Sequence, residues 1–330
     1  MRHFRNVSFW FCVIALLPAS RVIAQAGAGE NQGVGPIQIQ NQYFFALLHT
    51  SLRPTRASTL AEDESVLRTG FSWSNTAVAE DNFVTDVETR VLDLSVQRGI
   101  SDRTEVGLRI PLVWRGGGRL DRFIDSWHRD LSLPRGDRRR LDDDNFEVSG
   151  RNSDGSHYHF SQEGWALGEV ELSSKYLLSA GDGESPTVAL EGGIGLPTAR
   201  ASFGQRALDF SLSLFASKRI GRYIIYSGAG AFFYTDTSVN GVQFLPVHFE
   251  GFVQGEYQWT DTWSLNIGLY SSSKTVDDIR GHPGYSLYLD CGVQKRLSEN
   301  TIAQVLLREN PAPGSGTVDV TFLGGVSRTF

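Results

Sequence analysis

Two cysteines in 330 residues, Cys12 and Cys291, leave little scope for sulfur chemistry. Cys12 lies in an apolar stretch at the N-terminus, so Cys291 stands alone beyond it, and neither an internal disulfide nor a cysteine metal cluster is available. No run of 18 apolar residues occurs, which excludes an ordinary membrane-spanning helix. Positive charge is also in short supply, with 31 basic residues against 37 acidic ones. Nothing in that balance points to a nucleic-acid partner, and no cofactor is expected. Glycine (35 residues) and aromatics (11%) are plentiful instead, the composition of a many-stranded β protein.

The N-terminus has the three-part pattern of a secretory signal peptide, expected over 1–26. Arg2 and Arg5 precede an apolar run from Val7 to Ala19, and small residues at Ala24 and Ala26 offer cleavage points. Removal of Arg2, Arg5 and Arg21 takes the basic count to 28 against 37 acidic residues, a net charge of −9.

Apolar and polar residues then alternate cleanly. In 104–115, Val106, Leu108, Ile110, Leu112 and Trp114 interleave with Glu105, Arg109 and Arg115. Successive side chains of a strand point to opposite faces, so one face is apolar and the other charged. Twelve such segments are expected, near 66–75, 84–98, 104–115, 166–179, 186–196, 207–219, 222–235, 245–258, 262–273, 284–297, 301–309 and 317–330. In 84–98 the polar parity changes between Arg90 and Asp93, which predicts a bulge near Val91 and Leu92. Short connections (99–103, 179–185, 219–222, 260–262, 297–300) alternate with longer ones (76–83, 116–165, 197–206, 236–244, 274–284, 310–316).

Most segments run 10 to 14 residues, longer than the ~5–6 usual in soluble sheets and long enough to cross a bilayer when tilted. The expectation is an all-β fold, a transmembrane antiparallel β-barrel of about twelve strands over 64–330, with one long extracellular loop, 116–165, carrying a short helix. The apolar face then meets lipid and the charged face lines the lumen. Inward positions are expected at Glu105, Arg109, Arg115, Glu169, Glu171, Lys175, Glu191, Asp209, Glu250, Glu256, Asp290 and Arg296, together with Asp86, Glu88 and Arg90. Such charge density is costly in a dry core and tolerable beside water or in cross-paired sets.

In the long loop, three glycines at 116–118 precede Leu120, Phe123, Ile124, Trp127 and Leu131, an apolar stripe on one helix face with Asp121, Asp125 and His128 off it. The helix is expected to fold into or over the barrel mouth and constrict it; the alternative rests it on the rim or on lipopolysaccharide. Arg138, Arg139 and Arg140 facing Asp142, Asp143 and Asp144 read as a charge-balanced loop, with no calcium-loop spacing. His157 and His159 are two imidazoles without a third ligand. The stretch 27–63 is expected to be a periplasmic segment or plug rather than a thirteenth strand.

The stretches GPIQIQNQYFF (35–45), GFSWSNT (70–76), 86–134 and ALGEVELSSKYLL (166–178) resemble a family of Gram-negative outer-membrane barrels known only as a domain of unknown function. Glu169 stands where that family has Asp. The resemblance implies the fold and the outer-membrane location and carries over no catalytic residue. The terminal pattern Phe322, Gly324, Val326, Phe330 similarly resembles the signal read by the barrel assembly machinery, from which Arg328 departs. Outer-membrane lipid and lipopolysaccharide are the other expected partners.

Three functional readings follow. The first is a narrow channel for small solutes, with an acidic excess favouring cations, gated by 116–165. The second is a closed structural or surface-binding barrel. The third is a lipase-type hydrolase, which needs a serine and histidine in hydrogen-bond reach; no histidine sits at mid-strand beside a serine, so enzyme activity is not expected.

Overall fold

The computed structural model describes residues 33–130, 140–182, 184–282, 284–311 and 316–330. The expected signal peptide, Leu131, Arg138, Arg139 and the side chain of His128 lie outside the described residues. In chain order the strands are β1 (Ser65–Ala79), β2 (Phe83–Ser101), β3 (Thr104–Gly116), β4 (Glu147–Arg151), β5 (His157–Phe160), β6 (Gly164–Leu167) and β7 (Val170–Ser179). They continue with β8 (Thr187–Leu196), β9 (Asp209–Ile220), β10 (Tyr223–Tyr234), β11 (Ser238–Val239), β12 (Val242–Gln243) and β13 (Val247–Gln258). The last are β14 (Trp263–Ser273), β15 (Tyr285–Ser298), β16 (Thr301–Glu309) and β17 (Val320–Thr329), and among the described residues one α-helix, α1 (Leu120–Asp130), lies between β3 and β4.

Neighbouring wall strands pair antiparallel, and β1 also pairs with β17, from Val66 opposite Thr329 to Asn75 opposite Val320. That last pairing closes the barrel wall, leaving no free edge in it. Among the described residues the wall has twelve strands, because β6 and β7 both pair with β3 and act as one strand interrupted at Gly168 and Glu169. The interruption lies opposite Pro111, which has no N–H to give the ladder. Gly168 instead donates its N–H to the Pro111 carbonyl at 2.9 Å, and the extra residue delivers Glu169 to the interior.

The apolar face points outward. Ile267 is 61% exposed and Phe249 58%, while the polar neighbours Glu250, Gln254 and Asn266 are buried inside. This polarity is the reverse of a water-soluble barrel's. Trp259, Trp263 and Tyr223 are exposed at the short-turn end, as an interfacial aromatic girdle requires.

Three expectations are corrected in the upper wall. β2 has no bulge at Val91 and Leu92: its register against β1 runs unbroken from Arg98 to Val84. Its irregularity falls between Gly99 and Ser101, at the short turn to β3. Asp86, Glu88 and Arg90 therefore sit on the outer face, Glu88 opposite Asn75 and Arg90 opposite Trp73. The supposed loop 76–83 is mostly strand, because upper β2 (Phe83 to Asp86) pairs with β4 and carries the sheet beyond the rim.

Helix α1 explains why charges are tolerated on that outer face. Leu120 and Ile124 pack on Val320, Trp73, Leu307 and Phe322, all outward residues of β17, β1 and β16. Glu88 accepts the N–H groups of Arg119 (2.7 Å) and Leu120 (3.0 Å), so its carboxylate caps the helix N-terminus. Arg90 pairs with Glu88 and lies between the rings of Trp73 and Trp114, 5.2 and 4.2 Å from their centroids. The helix is thus fastened to the outside of the barrel. It does not enter or cover the mouth, which overturns the expected constriction. Phe123 and Trp127 remain half exposed on it, as an interfacial helix presents them.

Candidate functional site in the barrel interior

Residues 33–63 occupy the interior. The segment enters at the short-turn end, where Val34 donates to both carboxylate oxygens of Glu256 (3.1 and 3.0 Å) and Gly35 donates to Glu256 and to the Tyr226 hydroxyl, each at 3.2 Å. Gly33 has φ +72°, and a Cβ there would stand 2.5 Å from Glu256 Oε2 and 2.7 Å from the Tyr226 oxygen, so only glycine fits. The chain rises in extended form. Ile37 donates to Gln254 at 2.7 Å, and Ile37 and Ile39 pack on Leu306 and Leu323, the apolar residues of the inner wall.

Higher up, the Arg308 guanidinium donates to the Gln40 carbonyl (2.8 Å), and Tyr288 donates to the Asn41 side chain (2.7 Å). A short 3₁₀ turn, Ala46–Leu48, reverses the direction at the long-loop end. On the way back Thr50 donates to Asp209 (3.1 Å), Leu52 to Glu250, Ala57 to Ser217 (2.9 Å) and Leu60 to Glu105 (2.9 Å). Asp63 then bonds Gly99 at the short turn, beside the start of β1. Stretch 38–52 forms no wall strand.

The anchoring has one chemical theme. Wall carboxylates accept backbone N–H groups of the inner segment, and charge-assisted bonds of this kind are roughly twice as strong as neutral ones. Other wall charges pair among themselves. Lys175 meets Glu105 at 2.7 Å; Arg109 joins Asp93 and Glu171, the latter at 2.7 Å; Arg308 grips Asp290 through two bonds of 2.6 and 2.8 Å, between the rings of Tyr270 and Tyr288. Arg115 is buried, donates to the Ser202 carbonyl at 2.7 Å, and lies 4.3 Å from the ring centroid of Phe44 in the inner segment. The wall thus holds both ends and the apex of the segment.

Of the positions expected inward, Glu105, Arg109, Arg115, Glu169, Lys175, Asp209, Glu250, Glu256 and Asp290 are buried on the inner side, and Glu171 and Glu191 are partly so. Arg296 is exposed at the short-turn rim, where β15 loses register before Ser298. Asp121 bonds Asn75 outside the wall, and Asp125 pairs with Arg129 on the helix. His157 and His159 are exposed on β5, and among the described residues no group of three or more His, Cys, Asp or Glu is placed to hold a metal. Arg308 was not anticipated from sequence, and Asp93 reaches the inner face without the bulge that was expected to put it there. Arg308 shares the parity of Gln304, a signal masked by Leu306, which faces inward to meet Ile37 and Ile39.

A lid covers the long-loop end. The β4–β5 hairpin, the β11–β12 hairpin and residues 274–282 interlock through the pairings of Asn152 with Ile279 and Phe244 with Val276. Beneath them Phe160 stacks edge-on against Phe44 (4.9 Å) and Tyr158 against Phe45 (6.1 Å), while Tyr43 bonds His282 at 3.0 Å. One half of the long loop therefore clasps the outer wall and the other half covers the mouth. Two voids beside the segment are small, about 40 Å³ each, room for water and not for a solute.

A family model described as protein of unknown function (DUF3187) matches residues 12–330. No curated protein matches the sequence. Among solved structures, an outer-membrane channel from Pseudomonas putida F1 superposes with a TM-score of 0.58 at 13% identity, covering 85% of this chain and all of that one. The NanC porin (TM-score 0.48, 8% identity, 80% of this chain and 98% of that one) and a FadL homologue from Pseudomonas aeruginosa (0.39, 9%, 91% and 98%) are more distant. At these identities the likeness is one of fold: this chain is an outer-membrane-channel-like barrel.

Proposed function

We infer that this chain, which belongs to the DUF3187 family, is a channel of the bacterial outer membrane that its own residues 33–63 hold shut at rest. The observation that carries this reading is how the segment is held. Beside its apolar packing, the segment is held by wall carboxylates that accept its backbone N–H groups, and water can replace those bonds as the segment leaves. Apolar packing runs along the segment as well: Ile37 and Ile39 meet Leu306 and Leu323, Leu47 meets Val91 and Val113, and Tyr43 to Ala46, Leu48, Leu52 and Ala57 join the large cluster that includes Phe215 and Phe252.

Withdrawal of the segment also sets the selectivity. Its N–H donors leave with Arg53 and Arg56; among the described residues Asp209 and Glu256 then face the lumen without an ion-pair partner on the wall, and Glu250 keeps the His248 imidazole at 3.3 Å. A ring of carboxylates favours cations, so small cationic solutes are the proposed cargo. Gating resides in the inner segment and the lid hairpin of 147–160, not in helix α1. The signal peptide serves export, α1 meets outer-leaflet lipid and lipopolysaccharide, and Phe330, exposed at the end of the closing strand, serves recognition by the assembly machinery.

The double closure favours a second reading, a permanently sealed structural barrel. Planar-bilayer recording of the full-length mature protein across a potassium chloride gradient separates the two. The channel reading expects intermittent openings whose reversal potential lies toward the potassium equilibrium value. Silence at every potential supports the sealed barrel, and a chloride-directed reversal refutes the cation preference.

A further inference from the structure

The two voids share two lining residues of the inner segment. The first lies between the inner segment and strands β1, β2, β16 and β17, with Arg68, Asp93 and Ser95 in its lining. The second lies between the segment and β7 to β10, with Glu171, Glu191 and Ser213 in its lining. Gln38 and Arg53 line both. On the wall beside them, Arg109 ties Asp93 of the first void to Glu171 of the second. That ladder is rigid: Arg109 is 2% exposed and held at two carboxylates.

Arg53 is held differently. It belongs to the inner segment, its side chain is partly exposed, and among the described residues its ion pair is one 3.3 Å contact with Glu171 Oε2. A single long contact to a carboxylate already bonded by Arg109 is easily exchanged for water. Rotation of the Arg53 side chain, with Gln38 beside it, would join the voids without moving the backbone of 33–63. Removal of its charge would leave Asp93, Glu171 and Glu191 beside the joined space against Arg68 and the shared Arg109, an acidic excess of one.

We propose that Arg53 is the gate of a narrow, water-filled route for small inorganic cations that runs beside the seated segment. Full solute passage requires withdrawal of the segment; the Arg53 route does not. This rests on the channel reading above, and deepens it by giving the closed state its own ion specificity and the residue that sets it.

The test uses the full chain with the segment tethered. Ala57 donates its N–H to Ser217 Oγ at 2.9 Å; the tether is a disulfide between Ala57→Cys and Ser217→Cys, its closure verified by thiol titration before each measurement, with Cys291→Ser to remove the native thiol. Potassium current and uptake of an uncharged sugar are measured with the tether closed and after reduction, with and without Arg53→Ala, and with Arg53→Lys as the charge-retaining control. Heat-shifted gel mobility checks that each variant is folded.

With the tether closed, Arg53→Ala is expected to raise potassium current at least several-fold over Arg53 and Arg53→Lys while still refusing the sugar. No rise in the closed form, with sugar uptake normal after reduction, overturns the gate and leaves the channel reading standing. Sugar uptake by the closed Arg53→Ala form also overturns it, because the substitution has then unseated the segment. Absence of both current and sugar uptake in the reduced forms rejects the channel reading and the gate together.

Discussion

Glu256 is the strongest single anchor of the inner segment and makes the sharpest test of how it is held. Its carboxylate accepts the N–H groups of Val34 and Gly35, the Tyr226 hydroxyl and the Ser264 hydroxyl, the last two at 2.7 Å. Glu256→Gln keeps the shape and one acceptor oxygen but removes the charge. Bonds to a charged group are worth about 1.5–3 kcal/mol each and neutral ones about 0.5–1.5. The two backbone bonds together therefore lose about 2–3 kcal/mol. At ~1.4 kcal/mol per factor of ten, the unseated population of the entering limb rises about 30- to 150-fold.

Hydrogen exchange of the peptide containing residues 34–40 reads this directly, since local opening sets amide exchange. The expected result is exchange faster by about that factor, with peptides of β13 and β14 unchanged. Unchanged protection at Val34 and Gly35 would show that packing, not the carboxylate, seats the limb, and would refute the proposed release mechanism.

Three further outcomes are expected. Arg308→Met leaves Asp290 as an unpaired buried charge, a loss of about 3–5 kcal/mol, so the heat-shift transition falls; the double change with Asp290→Asn restores most of it, and equal transitions for single and double variants would contradict a buried ion pair. Leu120→Asp with Ile124→Asp undocks α1 and lowers quenching of Trp127 by brominated lipid while leaving channel current unchanged; a rise in current would return the helix to the mouth. Phe330→Ala lowers the amount assembled in cells without altering refolding in detergent, and an equal deficit in both would make the residue structural.

The wall was legible in the sequence because lipid imposes a strict two-residue period: twelve segments read from alternation correspond to twelve wall strands, with Glu105, Lys175, Asp209 and Glu256 on the buried side. The same rule misled at Asp86, Glu88 and Arg90. Alternation reports polarity, and at that height the outer face is polar because α1 and its cap cover it. The helix stripe was equally readable from Leu120, Ile124 and Trp127, yet a stripe does not say which surface it meets. The path of 33–63 left the faintest mark, since its anchors are backbone N–H groups, which every residue but proline carries. Ile37 and Ile39 gave a hint only in combination with Leu306 and Leu323, more than 260 residues downstream.

The central claim is that residues 33–63 close the barrel reversibly. The most direct test is uncharged-sugar uptake into liposomes by the Ala57→Cys, Ser217→Cys, Cys291→Ser protein with Arg53 intact, before and after reduction of the disulfide. The account predicts no uptake while the tether holds and clear uptake once it is reduced. Uptake through the tethered protein, or none after reduction, would contradict it.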